Sequence, residues 1–167
     1  MKKLVVMILV SLPLLSAGTI NRPAYEIRSM MIYNFIKYIH WPVPKEKIVI
    51  GVMGDEEVYN SLYGWYHGQL RGNKEFVIKK CSTISEAGEC NVIYVGTDAS
   101  DRFDELKVTL SKSPTLLITN TPGLGKKGSA INFIRRENKQ LFELNKRVIE
   151  EANLKVSNKL TGLAILI

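Results

Sequence analysis

Cysteine is almost missing from this 167-residue chain: Cys81 and Cys90 are the whole supply. Two thiols cannot staple a small scaffold, so stability has to come from a hydrophobic core, which a chain of this length can build. Histidine is as scarce. His40 and His67 stand alone, with no second histidine at i+4 and no cysteine pair beside them, so the sequence supports no metal centre. Glycine (12) and proline (6) are too few for a collagen-like or low-complexity chain, and 46% hydrophobic with 23% charged residues is ordinary globular composition. No apolar run reaches the roughly 20 residues that a membrane-spanning helix needs. There is no G-x-S-x-G elbow, and neither thiol has a histidine nearby in sequence. With no catalytic residue to assign, the chain is expected not to be an enzyme and to need no cofactor.

The longest apolar run lies at the start. Lys2 and Lys3 precede Leu4 to Leu15, which is apolar apart from Ser11 and Pro13, and Ser16-Ala17-Gly18 comes next. A charged region, a short apolar stretch and small residues in that order make a secretory signal peptide, residues 1–18, with cleavage leaving Thr19 as the first residue. No cysteine stands directly after the apolar stretch to carry a lipid anchor. Residues 19–167 then form a single domain in the periplasm. Loss of Lys2 and Lys3 takes the net charge from +7 to +5. The basic residues are scattered pairs, such as Lys79-Lys80 and Arg135-Arg136, so no nucleic-acid footprint is formed. In an oxidising compartment Cys81 and Cys90 are expected to form a disulfide, contributing about 2–3 kcal/mol at most because the loop is short.

Apolar periodicity orders the rest. Ile27, Met31, Phe35 and Tyr38-Ile39 recur at helical spacing after Asn21 and Pro23, and Trp41-Pro42 stops that helix. Lys47 to Val52, Glu75 to Ile78, Asn91 to Val95 and Thr115 to Thr119 read as strands. Between them, Asp55 caps a helix carrying Val58, Leu62 and Trp65-Tyr66, Ser82 to Ala87 makes a helical turn, and Asp98 or Ser100 caps a helix through Lys112. Several strands are continuous apolar runs, the pattern of strands covered on both faces. The expected fold is therefore α/β: a mostly parallel central sheet with helices on both faces. Ala130 to Arg135 and Gln140 to Leu144 add a C-terminal hairpin, succeeded by helices capped by Asn145 and Ser157.

Gly123-Leu124-Gly125-Lys126-Lys127-Gly128 matches G-x-G-x-x-G literally. The next residues read as a strand, so no helix N-terminus is available for a pyrophosphate, and the stretch is expected to be a loop entering the hairpin. Asp55-Glu56-Glu57 complements a helix dipole. Tyr59, Tyr63, Trp65 and Tyr66 are expected to pack into the core, with an aromatic partner surface as the alternative.

Five segments, in order, carry a resemblance. Met31-Ile32-Tyr33-Asn34-Phe35-Ile36-Lys37-Tyr38-Ile39-His40-Trp41-Pro42, Cys90 to Val95, Gly128 to Phe133, Phe142-Glu143-Leu144-Asn145 and Leu154 to Leu160 resemble the YfiR-like family of exported bacterial regulatory proteins. Asn91 and Ser129 depart from its usual residues. The resemblance implies a periplasmic α/β domain that is not an enzyme and that forms homodimers. Its implied partner is the periplasmic part of a membrane-bound sensor or diguanylate cyclase, held inactive, with an outer-membrane lipoprotein as a further partner and cyclic-di-GMP signalling as the output. The partner-binding residues expected in the matching segments are Trp41 and Pro42, with Trp41 as the aromatic anchor, and Asn132, Glu143 and Asn145 near the hairpin. Asn132 and Asn145 also have a structural reading, one satisfying the hairpin backbone and the other capping a helix. The competing function is a periplasmic small-solute binding module, using a cleft at the carboxyl ends of the parallel strands.

Overall fold

The computed structural model describes residues 22–167. The proposed signal peptide and the Asn21 cap lie outside these residues. Helix α1 (Ala24–Ile36) starts directly after Pro23, which has no side-chain cap to offer. It is shorter than its apolar spacing predicts. Ile39 leaves the helix for β1 (Ile39–His40), a two-residue strand that pairs antiparallel with β9 (Lys155–Val156).

Strand β2 (Lys47–Met53) leads to α2 (Glu56–Tyr66), whose first turn is held by the Asp55 carboxylate accepting from the Val58 amide. Then come the edge strand β3 (Leu70–Arg71), β4 (Lys74–Lys80), and α3 (Ile84–Gly88), closed by a reciprocal Thr83–Glu86 capping box. After β5 (Val92–Val95) the chain enters a 3₁₀ helix (Thr97–Arg102) instead of the expected Asp98 or Ser100 cap, and continues as α4 (Phe103–Leu110). Strand β6 (Leu116–Thr119) leads to the glycine motif. That segment is not all loop: α5 (Leu124–Lys127) is one helical turn, flanked by Gly123 and Gly128 at φ 86° and 118°. Only glycine adopts those left-handed angles without strain. The hairpin β7 (Ile131–Arg136) and β8 (Lys139–Leu144) turns at Glu137-Asn138, both at positive φ.

Asn145 caps α6 (Lys146–Glu151), as its side chain suggests. Ser157 caps only the single turn α7 (Asn158–Thr161). The expected C-terminal helix is corrected here: Gly162 ends it, and the last residues extend as β10 (Ile165–Leu166), parallel to β8.

The eight-stranded sheet has the order β10-β8-β7-β6-β5-β2-β4-β3. Its centre, β4-β2-β5-β6-β7, is parallel throughout. Alternate side chains feed two cores. Ile48, Ile50, Val92, Tyr94, Leu116, Ile118, Ile131 and Phe133 face α1, α2 and α6. Ile93, Val95 and Leu117 face α3, α4 and α5. Burial of each such side chain contributes about 1.5–3 kcal/mol, and both faces draw on it. Among the described residues no helix is long and apolar enough to cross a membrane.

Candidate functional site

In an open parallel sheet, ligands gather outside the carboxyl ends of the strands, where the strand order reverses. Here that point lies between β2 and β5. It is filled by the protein itself. Gly54, at φ 70°, abuts Ala99, and a side chain on Gly96 would strike the Gly54 carbonyl. Beneath this contact sits a polar cluster from three elements. Asp55 accepts from the Tyr94 hydroxyl at 2.9 Å and from Arg28 of α1 at 3.4 Å. Tyr94 is fully buried, and burial above all holds its hydroxyl well above the ordinary tyrosine range, so it remains a donor. The Arg28 side chain is only 16% exposed, and its Nε has no hydrogen-bond partner among the described residues.

A second network lies along β6, β7 and β8. Register places Thr119 beside Asn132, and Asn132 beside Glu143, in a row across the three strands. The Thr119 hydroxyl donates to Asn132 Oδ1 at 2.7 Å and lies 3.0 Å from Ser129 Oγ. Ser129 donates to the Ile131 carbonyl at 2.7 Å, and Asn132 Nδ2 donates to Glu143 Oε2 at 3.0 Å. Glu143 in turn reaches over Gly125, where a Cβ would stand 2.5 Å from its Oε2. The network fixes residues 120–128 onto the sheet.

This placement corrects two expected contacts. Asn132 is fully buried and Asn145 nearly so, and neither is free to meet a partner. Asn145 Oδ1 accepts from the Val148 amide at 3.2 Å, as a cap does, and its Nδ2 faces the Gly125 carbonyl. Asn132 satisfies Thr119 and Glu143, not the hairpin backbone. Glu143 is half-buried.

Trp41 and Pro42 lie elsewhere. The Trp41 indole N–H donates to the Pro114 carbonyl at 2.9 Å, just ahead of β6, whereas Thr119 ends that strand. At about 3.3 Å per residue the two groups are separated by roughly 16 Å. Trp41 is half-buried against the core and stands near Lys74, while Pro42 and its neighbour Val43 are exposed.

Cys81 and Cys90 are brought together as free buried thiols, with the sulfurs 3.8 Å apart. The structure contains no bond between them, unlike the disulfide expected from the sequence. Both sulfurs crowd the bare Cα of Gly51, where a Cβ would lie 2.7 and 2.8 Å from them. Their shared hydrogen bond lowers the Cys81 thiol and, together with burial, raises that of Cys90.

One cleft opens at the carboxyl end, with a volume of about 450 Å³, between α1, the segment after β6, and the β7–β8 hairpin. Arg28, Asn120, Arg135, Arg136, Gln140 and Glu143 contribute its polar groups. Sequence reasoning missed Arg28 and Tyr94. The available signals were the one cation in α1 and a hydroxyl inside a continuous apolar strand. The aromatic stripe divides: Tyr66 is buried and stacked on Tyr33, whereas Tyr63 is exposed and stacked on His67. Among the described residues no group of three or more histidine, cysteine, aspartate or glutamate side chains could hold a metal ion.

A family model described as YfiR/HmsC-like matches residues 25–165. No curated protein matches the chain. A crystal structure described as a conserved domain protein from Vibrio cholerae O1 biovar El Tor superposes with a TM-score of 0.56 at 10% identity. The match covers 86% of this chain and 60% of that one, and it speaks for the fold alone.

Proposed function

Because the chain belongs to the YfiR/HmsC-like family, we propose that it is an exported, periplasmic regulator, not an enzyme, which binds and represses a membrane-bound signalling protein of the diguanylate cyclase or sensor kinase type. The observation that carries this reading is the extent of the family match, residues 25–165, which takes in both cores and the hairpin. A regulator of this kind works by differential affinity: it binds the inactive state of its partner more tightly than the active one. Moving a sensor from mostly active to mostly inactive needs only a few kcal/mol of that difference, about 5.5 kcal/mol for a full reversal of a 99:1 ratio.

The docking corner is the exposed turn between β1 and β2. Val43 is 61% exposed, Pro42 and Pro44 flank it, and the open edge of Trp41 lies beside them. Proline on both sides stiffens the turn, so little conformational freedom is lost on binding. A competing outer-membrane lipoprotein and a second copy of the chain are further proposed partners.

The test is affinity capture from detergent-solubilised envelope by the mature chain. It should recover a membrane protein with a periplasmic part and a cytoplasmic cyclase or kinase domain. Val43→Asp should abolish recovery while leaving the melting temperature unchanged. Recovery of no membrane protein, or turnover of a small molecule by the purified chain, overturns the reading.

A further inference from the structure

We infer that the cleft at the carboxyl end of the sheet binds a small organic anion: one phosphate or carboxylate group on an apolar body. Its volume, about 450 Å³, falls within the span of small-molecule sites. Three elements converge on it, so it is part of the fold's architecture and not a surface dimple.

The charge is one-sided. Arg28, Arg135 and Arg136 line the cleft, against one lining carboxylate, Glu143; Arg28 is paired with Asp55 behind the wall, so the hairpin arginines carry the free charge. Glu143 is already engaged by Asn132 and pressed over Gly125. Arg28 is the built part of the site. Its Nη2 is turned to Asp55, which leaves Nε buried with nothing to donate to among the described residues. The Asp55 pairing holds the guanidinium at the wall of the cleft without a search through rotamers. The guanidinium fork matches phosphate and carboxylate oxygens in pairs.

The rest of the wall is apolar: Ala24, Pro122, Phe133 and Ile134. A bare inorganic ion would leave that surface wet, so the ligand carries a hydrophobic portion. Arg136 lies at the end of β7 with no ion pair among the described residues, and Arg135 reaches only the nearby Asn138 at 3.4 Å. Both can turn toward an incoming charge. The inference stands on the cleft alone and does not depend on which protein, if any, the chain regulates.

Calorimetric titration of the mature chain separates the ingredients. Phenyl phosphate or benzoate should bind saturably, and whichever binds tighter identifies the head group. Inorganic phosphate should bind at least about tenfold more weakly, a difference of about 1.4 kcal/mol. Phenol should not bind measurably. Arg135→Gln with Arg136→Gln, on an exposed hairpin end, should weaken the better anion at least tenfold with the melting temperature unchanged. Arg28→Lys keeps the charge but loses the planar guanidinium fork and should weaken it further. If that variant does not fold, the hairpin double variant decides. Absence of saturable binding by both organic anions, equal affinity in the hairpin variant, or binding of phenol as tight as phenyl phosphate overturns the inference.

Discussion

Tyr94 ties one side chain to the behaviour of the whole core. Its hydroxyl is buried beside the Asp55 carboxylate, and its pKa lies above the ordinary 10.0 of an unfolded chain. The folded state therefore holds that proton more tightly than the unfolded state. The stabilisation is complete below about pH 10 and is lost as pH rises above it, by up to about 1.4 kcal/mol per pH unit. Tyr94→Phe should lose about 1 kcal/mol near neutral pH, from the missing hydrogen bond. It should also lose one proton's worth of slope above pH 10. Urea denaturation at several pH values compares the two curves, and parallel curves would count against this account. The same residue illustrates what a single sequence conceals. A tyrosine inside an apolar strand signals burial, but its partners, Arg28 from α1 and Asp55 after β2, are far away in the chain and only meet once the sheet has formed.

At the scale of elements, the cysteine pair is a local device. Cys81 comes after β4 and Cys90 precedes β5, both strands being neighbours of β2, and Gly51 of β2 leaves room for the two sulfurs. Their sulfurs already lie 3.8 Å apart in one buried space. Chain recovered from an oxidising compartment should therefore contain a Cys81–Cys90 bridge, worth about 2–3 kcal/mol, as read by peptide mapping without reduction. Two free thiols, or linked dimers, would show otherwise. The central strands were legible because both their faces are covered, which writes continuous apolar runs such as Val92 to Val95 into the sequence. The two-residue strands β1, β3, β9 and β10 were not, since two residues hold no period to read. Nor was the fate of Asn132 and Glu143. The sequence left Asn132 between a partner contact and a bond to the hairpin backbone and read Glu143 as a partner contact, whereas the return of residues 120–128 over that face brings the two together.

The whole molecule shows how its sheet is prevented from growing. Both edges end in two-residue strands, β3 beside β4 and β10 beside β8. Short edges give a neighbouring chain little to pair with. Deletion of residues 163–167 removes β10 and the Ile167 side chain that backs Gly125. The truncated chain should melt earlier and self-associate through the uncovered edge of β8, as read by light scattering after size-exclusion chromatography; an unchanged monomer would contradict this. The small second sheet joins Ile39 to Val156 and His40 to Lys155, pairing strands from opposite ends of the domain. Such a closure is entropically slow and comes late. During synthesis the N-terminal segment emerges first, yet its anchoring strand waits for almost the last residues to appear. For the export proposed above, that delay is an advantage, because the native state cannot lock before the carboxyl end is in hand.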